Sequence, residues 1–164
     1  MILNESLRFD TVDASVKRAF LRPPEKLTLK ARTHLYRWTD NPLEDRDGRI
    51  SPWWSFIETT QLPSGAMADG FRVSEERAKR IGRTHRELAR ARAAISGEFK
   101  NRLSNLLVIE LAVPVWGFAG QASGQPEFGR NQPELANVFL IGGAYQVWIP
   151  GLTPLHVKSI PAVA

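Results

Sequence analysis

The stretch Leu140-Ile-Gly-Gly-Ala-Tyr-Gln-Val-Trp-Ile-Pro150 constrains the fold of this chain more than any other. Two glycines open an apolar, β-prone run that a single amide, Gln146, interrupts. Such a run reads as a buried strand entered through a glycine bulge. Because glycine carries no Cβ, another backbone or a ligand can come close at that point. Gln146 alternates with apolar neighbours, which leaves two destinations for its carboxamide: solvent, or something held against the strand.

The other segments predict what this strand pairs with. Residues 105–113 are nearly continuous Leu, Val and Ile, the pattern of a second buried strand. Glu110 lies inside it, and a carboxylate there is costly unless paired, one of the helix arginines being the expected partner. Residues 33–39 alternate Leu35, Arg37 and Thr39 on one face with His34, Tyr36 and Trp38 on the other. Residues 49–57 form a short aromatic strand or turn, and residues 156–160 a closing strand. Ser74 suits a helix N-cap, with Glu75 and Glu76 in the first turn, and the helix is predicted to run to about Ile95 before Gly97. Its inward stripe is Ala78, Ile81, His85, Leu88 and Ile95, with His85 a satisfied core residue. Residues 114–132 are rich in glycine and read as a long loop. The sum is an α+β fold in a single domain of 164 residues. Residues 1–32 form a leader or peripheral segment, with a short helix over 11–21 and extended chain over 27–29, and residues 33–164 form the main body.

The absence of cysteine excludes disulfides, thiolate metal sites and cysteine nucleophiles. His34, His85 and His156 are too scattered to predict a metal site. No cleavable signal peptide is expected in residues 1–20, and no apolar run approaches the roughly 20 residues that span a bilayer. The formal charge of +5 is concentrated: residues 72–102 carry ten Lys or Arg against four acids. That segment fits an acidic partner or nucleic acid, so a basic binding module is one reading of the chain.

Three elements carry a resemblance: Leu35-Tyr-Arg-Trp38, then Ser51-Pro-Trp-Trp-Ser-Phe56, then Gln146-Val-Trp-Ile-Pro-Gly-Leu-Thr153. Their order resembles the ADP-ribosyltransferase superfamily of NAD-consuming toxins. There, a first-strand Tyr-Arg holds the substrate, a Ser-x-Ser strand supports the nicotinamide pocket, and a late strand supplies the catalytic side chain. In place of that superfamily's Glu/Gln-x-Glu pair stands Ala144-Tyr-Gln146. Gly142-Gly-Ala-Tyr-Gln-Val-Trp148 is more similar to the necrotizing-toxin type of NAD glycohydrolase, in which a glutamine is catalytic. Pro114-Val-Trp-Gly-Phe-Ala-Gly-Gln121 looks like the segment preceding it there, and Asp45-Arg-Asp-Gly-Arg-Ile-Ser-Pro52 like that family's opening.

The resemblance implies a split antiparallel or mixed sheet with a central amphipathic basic helix, and cleavage of the nicotinamide–ribose bond of NAD. NAD is then a substrate, with no permanently bound cofactor. Gln146 and Arg37 are the implied catalytic pair, meeting across one cleft. Arg46 competes with Arg37 as the NAD arginine, since a guanidinium fork suits pyrophosphate oxygens. Ser51, Trp54, Ser55, Gly142, Gly143 and Tyr145 are implied to line the NAD site. Glu110, Glu127 and Glu134 are the reserve carboxylates for an oxocarbenium-like transition state. Implied partners are an acidic immunity or inhibitor protein and, if ADP-ribose is transferred rather than hydrolysed, a macromolecular acceptor. A toxin of this kind is cytoplasmic in its producer and delivered to a target cell by a specialised secretion system.

Overall fold

The structure is a computed structural model that describes residues 1–92, 103–123, 125–126, 139–140 and 143–161. Ile95, Gly97, Glu127, Glu134 and Gly142 lie outside the described residues. Seven strands form one sheet: β1 (Glu25–Leu29), β2 (His34–Thr39), β3 (Trp53–Phe56), β6 (Asn105–Leu111), β7 (Val115–Gln121), β10 (Tyr145–Trp148) and β11 (Val157–Ile160). Short pairs β4 (Thr60–Gln61) with β5 (Met67–Ala68), and β8 (Gln125–Pro126) with β9 (Phe139–Leu140), stand apart. The helices are α1 (Ala14–Arg18), α2 (Phe71–Arg80) and α3 (His85–Arg92). The fold is α+β, and every pairing within the large sheet is antiparallel.

The strand order β1-β7-β10-β3-β2-β6-β11 cannot be laid flat. Strands β6 and β7 stand four places apart, a distance of about 19 Å at the usual 4.8 Å spacing. Yet only residues 112–114 join them, enough chain for about 14 Å. The sheet therefore folds on itself, so that its two halves face each other over one core. Side chains from all seven strands meet there, among them Leu27, Leu35, Phe56, Ile109, Ala119, Val147 and Val157. Each Leu, Ile, Val or Phe side chain among them contributes roughly 1.5–3 kcal/mol on removal from water. The alternation read for residues 33–39 holds: Leu35 and Arg37 lie in register with Ile109 and Leu107 of the core side, while Tyr36 and Trp38 face the helices.

Three sequence expectations are corrected. Val115–Gln121, expected within a long loop, is a central strand between β1 and β10. Its glycines serve close packing rather than turning: a Cβ at Gly117 would sit 3.0 Å from Val147 Cγ2, and one at Gly120 3.0 Å from Phe20 Cδ1. The N-terminal residues are not peripheral, since β1 is an edge strand of the sheet and Phe20 is 5 % exposed. The single helix expected over 74–95 is two. Gly70, not Ser74, is the N-cap of α2, and Gly82 turns the chain at φ 69°. Thr84 and Glu87 then form a reciprocal capping box: Glu87 N donates to Thr84 Oγ1 at 3.1 Å, and Thr84 N to Glu87 Oε2 at 2.9 Å. Ile81, expected on the inward stripe, is left exposed at this break.

Candidate functional site

Strand β3 changes partner halfway along. Trp53 and Trp54 pair with Trp148 and Val147 of β10, whereas Ser55 and Phe56 pair with Tyr36 and Leu35 of β2. Strand β7 runs along the other edge of β10 throughout, and the start of β10, beyond the reach of β3, keeps that pairing alone, Tyr145 opposite Gln121 and Gln146 opposite Gly120. The sheet forks here, and the fork opens into a cavity of about 240 Å³. One arm supplies Gln121, Gly143, Ala144 and Tyr145; the other supplies Tyr36 and Ser55. Helices α2 and α3 roof it with Ser74, Arg77, His85, Leu88 and Ala89, and Met67 and Asp69 close the side.

The polar groups of the cavity are held firmly. The Tyr36 hydroxyl shares hydrogen bonds with Ser55 and Ser74, and burial pushes its pKa up to about 12, so the phenol stays protonated. His85 is buried, packed on Phe71 with ring centroids 4.1 Å apart. Trp38 Nε1 donates to His85 Nδ1 at 2.9 Å, which leaves the neutral ring's proton on Nε2. Burial holds this ring's pKa down at about 4, the Glu75 charge opposing that effect only in part. Gln121 Nε2 donates to the Gly143 carbonyl at 3.2 Å, fixing the carboxamide at the fork. Gly143 itself adopts φ 92°, a left-handed conformation that glycine tolerates without strain. Asp69 Oδ2 faces Arg77 Nε at 2.9 Å.

Arg37 and Gln146 do not converge. The register puts Arg37 beside Trp54 on the core side of the sheet, its guanidinium carbon 5.8 Å from the Trp54 ring centroid. Arg37 Nη1 is buried without a hydrogen-bond partner, and burial lowers the pKa of the guanidinium. Gln146 lies on the opposite, outer face with Trp148, where its Nε2 donates to the Ala19 carbonyl at 3.0 Å. Successive strand residues alternate sides, so Tyr145 reaches the cavity while Gln146 ties down the N-terminal segment. Trp54 is in the core, its Nε1 donating to the Ser51 carbonyl at 2.7 Å. The Ser51 hydroxyl accepts from Trp53 N at 3.3 Å within a local turn, and Arg46 is exposed in the loop closed by the Glu44–Ile50 bridge. Glu110 is paired with His34 at 3.0 Å and lies 3.9 Å from Lys158, not with a helix arginine.

The polar cavity residues not assigned to the site from the sequence are Tyr36, Asp69, Ser74, Arg77, Gln121 and His85, the last expected only as a core residue. Strand parity alone could have exchanged Arg37 for Tyr36, because the Tyr-Arg pair puts one residue on each face. A larger hollow of about 640 Å³ lies between Leu27–Leu29 of β1 and residues 61–65. It is an open trough away from the fork, and of the three sequence elements only the core residue Phe56 borders it. Among the described residues no group of three or more His, Cys, Asp or Glu could hold a metal ion, and no helix is long and apolar enough to cross a membrane. Comparison with family models, curated proteins and solved structures finds no match to this chain.

Proposed function

We propose that the chain is an NAD-consuming enzyme of the ADP-ribosyltransferase type, which cleaves the nicotinamide–ribose bond in the cavity at the fork. The observation that carries this reading is convergence. Tyr36 and Ser55 come from the first two of the three elements that resemble those toxins, the run Gly143 to Tyr145 comes from the Gly142–Trp148 segment that resembles the necrotizing-toxin type, and all of them border one cavity. These elements are far apart in sequence, and the cavity's size suits one end of a dinucleotide. Typical sites for whole drug-sized ligands are about 300–1,000 Å³, so 240 Å³ admits a nicotinamide and its ribose with the remainder outside. The walls match that end: Tyr36 and Tyr145 offer aromatic surface, while Gln121, Ser55 and His85 offer groups for the carboxamide and sugar hydroxyls. The carboxamide that Gln146 was expected to supply falls to Gln121. On this reading the exposed arginines of α2, α3 and the turn between them, such as Arg80, Arg83 and Arg86, suit an acidic inhibitor protein.

The test is incubation with NAD and chromatography for free nicotinamide. Wild-type protein releases nicotinamide, and Ser55→Leu, which fills the cavity, lowers release by about 100-fold or more. Absence of release from folded wild type overturns the reading. The same arginines support a second reading, a module that binds nucleic acid through phosphates. Salt-sensitive retention of nucleic acid without nicotinamide release is its signature.

A further inference from the structure

Cleavage of a glycosidic bond leaves positive charge on the sugar, and enzymes of this chemistry commonly face that charge with a carboxylate. The late strand carries Ala144-Tyr-Gln146 and so offers none. Glu110, a reserve candidate, is committed to His34 and Lys158 away from the fork. Among the described residues lining the cavity, Asp69 is the carboxylate.

Its mounting is rigid. Ala68 before it is fully buried, and Gly70 after it is pressed against the backbone of residues 57–59 so closely that no Cβ fits. Gly70 N donates to Thr59 Oγ1 at 2.9 Å, and Phe71 N to the Ile57 carbonyl at 2.9 Å, which pins both sides of this turn. Helix α2 then returns Arg77 to Asp69, leaving Asp69 Oδ1 and the Arg77 terminal nitrogens for what enters the cavity. The Asp69 side chain is 33 % exposed and that of Arg77 50 %, so Arg77 is the more outward of the two. A carboxylate set inside and a guanidinium at the rim match a substrate whose sugar enters first and whose pyrophosphate trails.

We propose that Asp69 is the catalytic carboxylate of this site and that Arg77 both holds Asp69 and meets the pyrophosphate, an assignment that rests on the NAD reading above. The bond between ribose C1′ and the nicotinamide nitrogen breaks, and its electron pair leaves with that nitrogen, cancelling the ring's positive charge. The cation passes to C1′ and the ribose ring oxygen, where Asp69 stabilises it. A water oxygen then bonds to C1′, one water proton goes to the Asp69 carboxylate and on to solvent, and the products are nicotinamide, ADP-ribose and a proton.

The experiment measures steady-state nicotinamide release from NAD by wild type, Asp69→Asn, Asp69→Glu and Arg77→Gln, with thermal melts establishing that each is folded. Asp69→Asn lowers kcat by about 100-fold or more while KM stays within a few-fold. Asp69→Glu recovers part of that loss, and Arg77→Gln chiefly raises KM. A merely structural ion pair would instead make Asp69→Asn and Arg77→Gln alike in kcat and in melting temperature, which overturns the assignment. An active wild type with an equally active Asp69→Asn overturns this assignment alone. A folded wild type that releases no nicotinamide removes the NAD reading and this assignment together.

Discussion

The outer surfaces of the two half-sheets are finished in opposite ways. Over β7, β10 and the start of β3, the N-terminal segment lays Phe9 on Phe118 and Phe20 on Trp53, ring centroids 5.5 Å apart in each pair, and Trp148 lies 6.0 Å from Phe118 and 6.2 Å from Trp53. Over β2, the helices bring hydroxyls, His85 and an Asp–Arg pair, and leave a cavity between themselves and the fork. The same seven strands thus support a dry, aromatic seal on one side and a polar pocket on the other. The difference teaches where each side should be sensitive. The sealed side is organised for apolar burial and should respond in stability, whereas the pocket keeps polar groups that a core would avoid and should respond in function.

The largest expected effect tests the seal. Phe118 is 2 % exposed and touches both Phe9 and Trp148, so Phe118→Ala leaves a cavity among rings that cannot collapse into it. Equilibrium denaturation should show a loss of about 3–5 kcal/mol. Nicotinamide release per folded molecule should remain unchanged at a temperature where the variant is still folded. A collapse of release in fully folded Phe118→Ala would break the contrast between the two surfaces.

The next effect comes from the pocket side and is read in pH. The His85 pKa lies at about 4 in the folded chain against an ordinary 6.5, because burial disfavours the charged ring. As pH falls, the unfolded chain therefore takes up the proton first. The stability this group contributes is complete above pH 6.5 and is lost as pH falls from 6.5 through about 4. His85→Gln keeps an acceptor for Trp38 but does not titrate, so its melting temperature should vary less across that interval. Equal slopes for the two proteins would show that other groups govern acid sensitivity. A smaller change, about 1 kcal/mol, is expected from Thr84→Ala, which removes the hydroxyl that caps α3.

What could be read from the sequence was local. The alternation of residues 33–39 and the apolar runs of β6 and β10 depend on neighbours along the chain, and the structure has them as strands. The capping box of Thr84 and Glu87, preceded by Gly82, was equally local, yet an apparently continuous helical stripe hid it. Strand β7 was hidden for a different reason. Gly117 and Gly120 look like turn residues, and their actual use, making room for Val147 and Phe20, exists only once the layers are assembled. The fork is less legible still, because it depends on β3 exchanging one partner for another. Asp69 and Arg77 sit in a polar connection and on a basic helix, where nothing in the spacing marks them as a pair.

Neighbouring glutamines give the sharpest form of the comparison. Gln121 and Gln146 stand on adjacent strands, one residue out of step across the β7–β10 pairing, since Gln121 faces Tyr145 and Gln146 faces Gly120. That single step sends their carboxamides to opposite faces. Gln146 tethers the Ala19 carbonyl on the sealed side. Gln121, held by the Gly143 carbonyl, borders the cavity. Gln146→Ala should therefore cost about 1 kcal/mol in denaturation and leave nicotinamide release as it was. Gln121→Ala should cost a similar amount, about 1 kcal/mol, for the lost bond to Gly143 and, unlike Gln146→Ala, lower release by on the order of tenfold or more through a mispositioned substrate. The reverse outcome, release lost with Gln146→Ala and retained with Gln121→Ala, would mean that the late-strand glutamine turns towards the substrate and that the β10 register differs from the one described.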